Sequence, residues 1–253
     1  MSAVGSKATV PQAWLVCTQS QRSLRRRRAG KGTSWAPSVS DPNFSCQKPE
    51  VRDPCDAWVA HEYNCGMWSI DTRSAVLTAH PSSPNDNVGS LAVQLRAEEP
   101  DILVFQYSLV ADMSRVRVPL SGAGGRADGL WEHTCFEAFV AAGDAPVYHE
   151  FNFSPSLDWA VYRFSAYREG MSPAEIGRVP EISVRRGDDG LELKSAVRLG
   201  HLADSGDVRH LRIALAAVIE DDNGRLSYWG LRHAPGEPDF HHPNGFALEV
   251  RRT

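Results

Sequence analysis

The chain lacks a cysteine framework that could staple a fold. Of its five cysteines, four (Cys17, Cys46, Cys55 and Cys65) lie in the first quarter, at gaps that match neither a CxxC pair nor a zinc-finger pattern. Only Cys135 falls in the patterned part of the chain, where we expect a lone buried thiol. This distribution argues against a disulfide-stapled secreted fold and favours a reducing, cytoplasmic location.

Long apolar runs are also missing. No stretch approaches the roughly 20 apolar residues that a membrane-spanning helix requires. The apolar patch Ala13–Cys17 is too short for the core of a signal peptide. We therefore expect no membrane partner.

Two kinds of enzyme motif are absent as well. The glycine-rich segment 121–129 lacks the Lys-Ser/Thr ending and the strand-to-helix context of a phosphate-binding loop. Neither a nucleophile elbow nor a Ser-His-Asp order is visible. We predict that residues 121–129 form a flexible loop beside a binding face.

The charge of the chain is slightly negative and unevenly spread. The formal net charge is −4, but residues 1–70 carry nine Lys/Arg and five Asp/Glu, which leaves −8 on the remaining 183 residues. An acidic body repels phosphate, so we expect the body not to bind nucleic acid.

Residues 1–73 are predicted to be a low-order N-terminal extension. They are rich in Ser, Arg, Gln, Pro and Gly and show no sustained periodicity, so they cannot bury enough apolar area to offset chain entropy. The run Arg25–Arg28 is interpreted either as a solvated basic tail or as a patch for an anionic surface. A translation start assigned too far upstream is a third interpretation. The predicted folded domain is residues 74–253.

From Ser74 onward the sequence changes to short strand-like runs separated by turn residues. The runs lie at 74–80, 90–97, 101–110, 115–120, 133–141, 147–153, 156–167 and 246–252, with hairpins at 181–199 and 211–233. The hairpin turns are predicted at Gly187–Gly190 and at Asn223–Gly224. One short helical fragment is predicted after Pro173. The pattern predicts an all-β, jelly-roll-like antiparallel β-sandwich of about ten strands.

The hairpin at residues 133–153 carries the candidate site. Side chains alternate along a strand, so Glu150 shares a face with Tyr148 and Asn152, and Glu137 is predicted to project to the same side as Glu150. Carboxylates beside aromatic rings suit a polar ligand with apolar faces, such as a sugar. An ordinary half-exposed hairpin with outward charges is the alternative interpretation. The predicted ligand-binding residues are Trp131, Glu132, Glu137, Tyr148, Glu150, Asn152, Trp159, Arg232, His233 and Asp239, and Tyr162 is close to them in sequence.

The last three of these residues belong to a polar run at residues 228–246. A metal site there is disfavoured, because the adjacent His241 and His242 point apart on an extended chain. The run is interpreted either as a rim of hydrogen bonds beside the hairpin or as a packed structural loop.

Catalysis by the two glutamates is a further alternative. Glycoside hydrolysis needs two carboxyl groups about 5–10 Å apart across a cleft, whereas acids on paired strands more often form a solvated or hydrogen-bonding pair. We therefore expect binding without enzymatic activity.

Three segments in order carry a resemblance to a known superfamily. LWEHTCFEAFV at 130–140, YHEFNFSPSLDWAVYRF at 148–164 and YWGLRHAPGEPDFHHPNGFALEV at 228–250 together resemble the DOMON-like ligand-binding β-sandwiches. They are nearest to a bacterial subgroup associated with UDP-N-acetylmuramate dehydrogenase. The resemblance covers about Ser74 to Val250 and implies a sandwich that binds a sugar or a haem.

The same segments are similar to family 9 carbohydrate-binding modules, in which two tryptophans clamp a terminal sugar. That similarity implies sugar contacts from Glu137, Glu150 and Asn152, with Trp131 and Trp159 as platforms.

Haem-binding relatives hold iron with a methionine and a histidine, which implies Met113 and His233 as the ligands of a b-type haem with an electron-transfer or sensing role. No CxxCH attachment motif is present. A protein-interaction domain without a small ligand is the remaining hypothesis, and its partner is unknown.

Overall fold

The structure is a computed structural model that describes residues 68–69, 72–98, 101–119, 122, 124–200 and 208–252. Nearly all of the predicted N-terminal extension lies outside these ranges, including Arg25–Arg28 and the four early cysteines. The extension and its boundary at residue 73 therefore stay predictions.

Thirteen β-strands make up most of the described residues. They are β1 (Trp68–Ser69), β2 (Arg73–Ala79), β3 (Val88–Glu98), β4 (Ile102–Ala111), β5 (Cys135–Ala142), β6 (Tyr148–Phe153), β7 (Trp159–Phe164), β8 (Ser172–Pro173), β9 (Glu181–Arg186), β10 (Gly190–Arg198), β11 (His210–Glu220), β12 (Leu226–Gly230) and β13 (Leu248–Arg252). The helical elements in the described ranges are two 3₁₀ turns, Leu130–Glu132 and Pro243–Gly245. None of the helices there is long and apolar enough to cross a bilayer.

The strands form two antiparallel layers. The front sheet has the order β8-β7-β6-β5-β11-β12, and β13 pairs with β11 and with β1. The back sheet has the order β2-β3-β4-β10-β9. Strand β2 joins the layers, because its first residues pair with β3 while Thr78 and Ala79 pair with β12. The predicted all-β antiparallel sandwich is confirmed, with more strands than expected.

The core between the two sheets is aromatic. Phe105 of β4 packs on Phe153 of β6 with ring centroids 6.2 Å apart. The ring of Tyr107, also on β4, lies 5.1 Å from that of Phe136. The hydroxyl of Tyr107 donates to the backbone oxygen of Glu137 at 2.7 Å. The back sheet is thus packed against, and hydrogen-bonded to, the strand that carries Glu137.

The central strands of the front sheet are buried on both faces. Every residue of β6, and every residue of β5 before Ala142, is buried. One face packs in the inter-sheet core, and the other carries a second apolar cluster that includes Phe139, Tyr148 and Phe164 and is covered by Trp131 and Phe240. The alternative of a half-exposed hairpin with outward charges is therefore wrong.

Two predicted elements differ from the structure. Residues 115–120 were expected to form a strand, but of these Val116 makes only an isolated bridge to Asp221. Pro119 lacks the N–H that a ladder needs, which limits pairing there. The helix expected after Pro173 is absent from the described residues 170–180. Pro173 instead lies in β8, and the amide of Ala174 donates to Val161 on the edge of β7.

Other local predictions are confirmed. The apolar run Leu211–Ile219 is a strand, as its β-branched residues and the following turn indicated. Gly224 adopts φ 79° in the predicted turn, a conformation that glycine takes without steric cost. The turn between β9 and β10 also lies where the GDDG segment predicts it.

We expect Tyr107→Phe to lower the free energy of unfolding by about 1 kcal/mol, the typical net contribution of one hydrogen bond. The substitution keeps the buried ring and removes only the hydroxyl that reaches Glu137. Urea denaturation followed by tryptophan fluorescence measures the change. Tyr167→Phe removes a hydroxyl whose hydrogen bond to Asp239 is exposed to water, so it should change the free energy of unfolding less. Equal stability of Tyr107→Phe and the parent would contradict this role of the hydroxyl.

Candidate functional site

A cavity of about 560 Å³ lies over the outer face of the front sheet. Its floor carries Glu137 of β5 and Glu150 of β6. Its walls and rim are aromatic, apolar and charged side chains from β7, β11, β12 and the covering loops. The lining residues besides the two glutamates include Trp131, Glu132, Phe164, Arg168, Met171, Tyr228, Phe240 and His241.

The two floor carboxyl groups are diagonal neighbours. Glu137 pairs with Asn152 across β5 and β6, and Glu150 pairs with Phe139 two residues away, so the two glutamates share one face. The prediction that they project to the same side is confirmed. They are only 3% and 5% exposed.

Their hydrogen bonding is incomplete. The side-chain amide of Asn152 donates to Glu150 Oε1 at 2.7 Å. Glu137 Oε1 is buried and has no hydrogen-bond partner among the described residues. Buried polar atoms in folded proteins almost always have a partner, so this oxygen needs an explanation.

Burial dominates the electrostatics of the pair. It raises the pKa of Glu137 well above its usual range, and the nearby charge of Glu150 raises it further. Burial also raises the pKa of Glu150, while the Asn152 hydrogen bond and the charge of Arg168 act in the opposite direction. Two adjacent carboxylates that are both buried repel each other, so the pair holds its first proton to a higher pH than an exposed glutamate does.

A hydrogen-bond network that includes Tyr148 and His241 lies beside Glu150. The Nδ1 atom of His241 lies 2.8 Å from the hydroxyl of Tyr148, and Nε2 lies 3.8 Å from Glu150 Oε2. Burial, with the charge of Arg168, lowers the pKa of His241 to about 4, so its ring is neutral at pH 7. The Tyr148 oxygen accepts the backbone N–H of Arg168 at 3.2 Å, which leaves its own proton for His241 Nδ1. In this arrangement the Nε2–H of His241 faces Glu150 beyond hydrogen-bond length.

Asp239 ties the covering loops together. Its Oδ1 atom accepts from Arg168 Nη2 at 2.8 Å and from the backbone N–H of His241 at 3.0 Å. Tyr167 donates its hydroxyl to the other oxygen. Arg168 has a left-handed backbone (φ 56°), which is uncommon for a non-glycine residue and is held here by these contacts.

Aromatic rings form the walls. Trp131 comes from the first 3₁₀ turn and meets the ring of Tyr162 edge-on at 5.7 Å. Tyr228 of β12 and Phe240 of the last loop lie 6.0 Å apart. The glycine-rich loop lies beside this region, because Asp128 accepts the hydroxyl proton of Tyr162.

The structure brings together only some of the predicted ligand-binding residues. Trp131, Glu132, Glu137 and Glu150 line the cavity. The remaining residues occupy other positions: Asn152, Tyr148 and Asp239 bond to residues that line the cavity, whereas Trp159, Arg232 and His233 do not line it.

The proposed sugar platform at Trp159 needs a correction. Trp159 pairs with Phe153 and packs in the core between the sheets, on the face opposite Tyr162. The alternation along β7 predicts this position, because Trp159 and Val161 are two residues apart and therefore face the same side of the strand. We leave Trp159 out of the candidate site.

The residues expected to hold haem do not fit that group. The side chain of Met113 lies in the inter-sheet core, beside an open depression lined by polar residues such as Asp112 and Arg186. His233 Nε2 lies 2.7 Å from the backbone oxygen of Thr78. Neither residue lines the cavity above Glu137, and haem binding stays an untested prediction.

Metal binding has no better support. The described residues contain no group of three or more His, Cys, Asp or Glu placed to hold a metal ion. The adjacent histidines diverge as expected, since His241 lines the cavity and His242 accepts the backbone N–H of Asn244 at 3.2 Å.

Several lining residues were missed by the sequence analysis. The strand pattern could have predicted Phe164, because it is two residues from Tyr162 on β7 and so shares its face. Arg168 comes from a loop without a period, so no pattern places it. Tyr228, Phe240 and His241 lie in the run at residues 228–246, for which a rim beside the hairpin was one of the two interpretations, but they were not among the predicted ligand-binding residues.

No family model matches the chain, and a search of curated proteins finds no match. Among solved structures, the chain is similar to a protein from Bacteroides uniformis that is proposed to bind carbohydrate, with a TM-score of 0.53 and 15% identity over 69% of this chain and 84% of that one. This similarity concerns the fold. The DOMON-like assignment and the dehydrogenase association stay predictions.

Two structures of a family 9 carbohydrate-binding module from Caldicellulosiruptor kristjanssonii are also similar. The complex with glucose has a TM-score of 0.40 and 12% identity, covering 81% of this chain and 91% of the module. The complex with cellotriose has a TM-score of 0.37 and 8% identity, covering 68% of this chain and 80% of the module.

The raised pKa of Glu137 predicts an unusual pH dependence of stability. The folded state holds the Glu137 proton more tightly than the unfolded state, so stability falls as pH rises above the unfolded pKa of about 4.3. Glutamine cannot ionise, so we expect Glu137→Gln to be stabilised relative to the parent at pH 8 more than at pH 5. Glu150 acts in the same direction. The other titratable or charged groups near the pair include Tyr107, Cys135, Tyr148, Tyr162, Arg168 and His241.

Urea denaturation at both pH values measures this difference. Glu98→Gln is the control, because the hydrogen bond from Arg96 lowers the pKa of this exposed carboxyl. The stability difference between Glu98→Gln and the parent should therefore not change with pH in the same direction as that of Glu137→Gln. A constant stability difference between Glu137→Gln and the parent at the two pH values would show that Glu137 titrates normally.

Proposed function

We propose that the cavity binds a small polar ligand, specifically a carbohydrate, without catalysing a reaction. The observation that carries the proposal is the buried Glu137 Oε1, an oxygen with no partner in the described residues at the floor of an aromatic-walled cavity.

A sugar matches both kinds of surface in the cavity. Its hydroxyl groups donate hydrogen bonds to the oxygens of Glu137 and Glu150, and its C–H faces pack on flat rings such as those of Trp131 and Tyr228. An unsatisfied buried polar group costs about 1–3 kcal/mol, which a bound hydroxyl relieves. The volume of about 560 Å³ is typical of small-molecule sites.

Binding without catalysis is favoured by where the carboxyl groups stand. Glycoside hydrolases place their two acids on either side of the scissile bond. Glu137 and Glu150 rise from adjacent strands of one floor and face the same side of any ring bound above them.

The fold shared with a protein proposed to bind carbohydrate sets the ligand class for the first experiment. Isothermal titration against mono- and disaccharides at millimolar concentration should give saturable heat with at least one of them. Glu137→Gln should weaken that binding about tenfold, because an amide replaces a carboxyl oxygen that accepts a sugar hydroxyl, a contact worth roughly 1.4 kcal/mol.

The control is Glu181→Gln, an exposed residue of β9 in the back sheet, which should bind as the parent does. The absence of heat with every sugar, from a protein that is folded by circular dichroism, would overturn the proposed function.

A further inference from the structure

The cavity has an excess of negative groups. Three acids line it, Glu132, Glu137 and Glu150, whereas Arg168 is the single Arg or Lys among its described lining residues. The guanidinium of Arg168 is already ion-paired with Asp239 at 2.8 Å. A neutral sugar would therefore leave the negative potential of the floor without a counter-charge.

Each of the two floor glutamates has a carboxyl oxygen without a hydrogen bond in the described residues. Glu137 Oε1 has no partner in the described part of the chain. Glu150 Oε2 has His241 Nε2 at 3.8 Å, which is longer than a hydrogen bond. A single group with several N–H donors could contact both carboxyl groups, because the two side chains are diagonal neighbours on one face.

The aromatic walls of the cavity also favour a cationic ligand. The faces of aromatic rings carry negative potential and attract cations, most strongly for tryptophan. Trp131, Tyr228 and Phe240 line the cavity above the acidic floor. Rings and carboxylates around one cavity favour an ammonium group.

We propose that the cavity selects a sugar that bears a primary ammonium group, an amino sugar, with the ammonium seated between one carboxyl oxygen of Glu137 and one of Glu150. This inference rests on the proposed function and narrows its ligand class. An ammonium has three N–H donors and no acceptor, so it satisfies both oxygens at once and supplies the missing positive charge.

Binding of the ammonium changes the proton count. The free carboxyl pair holds a proton to a higher pH than an exposed glutamate does, because two buried negative charges repel each other. The bound cation removes that repulsion, so the proton leaves to solvent as the ammonium enters. Seating of an amino sugar therefore releases up to one proton, whereas a neutral sugar gives no such release.

Three sugars with the same ring test the inference. Glucosamine, glucose and N-acetylglucosamine are titrated into the full chain by calorimetry at pH 6.5, in two buffers with different ionisation enthalpies. We expect glucosamine to bind at least about tenfold more tightly than the other two, equivalent to roughly 1.4 kcal/mol. We also expect its heat alone to depend on the buffer, which reports proton release.

Variants localise the effect. Glu137→Gln should reduce the preference for glucosamine over glucose to near one and remove the buffer dependence. Glu132→Gln removes the same charge from an exposed position that water screens, so it should reduce the preference much less. Glu150→Gln provides a second floor variant if Glu137→Gln does not fold.

The titrations distinguish a failure of the ammonium inference from a failure of the proposed carbohydrate binding. Glucose or N-acetylglucosamine binding as tightly as glucosamine would overturn the ammonium inference and leave carbohydrate binding in place. No binding by any sugar in the full panel would overturn the proposed function, and the inference with it.

Discussion

Burial of the front sheet on both faces is the constraint on which the rest of the structure depends. The back sheet covers one face, and Trp131, Phe240 and neighbouring loop residues cover the other. Strands at the centre of such a sheet are expected to be apolar throughout. Glu137 and Glu150 break that expectation, because they place two carboxyl groups where water is scarce. Their raised pKa values and the unpartnered oxygen of Glu137 follow from this position.

The cover over these acids is held by polar contacts from distant parts of the chain. Asp239 joins the loop after β7 to the loop before β13 through Arg168 and the backbone of His241. Tyr148 then connects the same loops to β6. Burial, with the charge of Arg168, keeps His241 uncharged beside Glu150, so it does not neutralise the acidic floor. Burial of Glu137 and Glu150 also lowers the local dielectric constant and so strengthens the repulsion between them.

Alternation along the strands was enough to predict the sandwich and the common face of Glu137 and Glu150, because a period of two relates neighbouring side chains directly. It could not show that this face is covered, since the cover consists of loop residues such as Arg168 and Phe240 that follow no period. The resemblance to family 9 carbohydrate-binding modules implied Trp159 as a platform, whereas Trp159 lies two residues from Val161 on the same face of β7 and packs in the inter-sheet core. The run at 115–120 alternates like a strand but makes only an isolated bridge, at Val116. A pairing partner depends on the whole topology, which one segment does not encode.

The central claim is that two buried carboxyl groups share one floor and that burial and mutual repulsion raise the pKa of the pair above the ordinary glutamate value. Carbon-13 NMR titration of glutamate side chains in the free protein tests it most directly, with Glu137→Gln and Glu150→Gln assigning the two resonances. The account predicts that one carboxyl of the pair stays protonated far above the ordinary glutamate pKa of about 4.3. If both carboxyl groups titrate near that ordinary value, the floor is not the desolvated acidic site described above, and the account is contradicted.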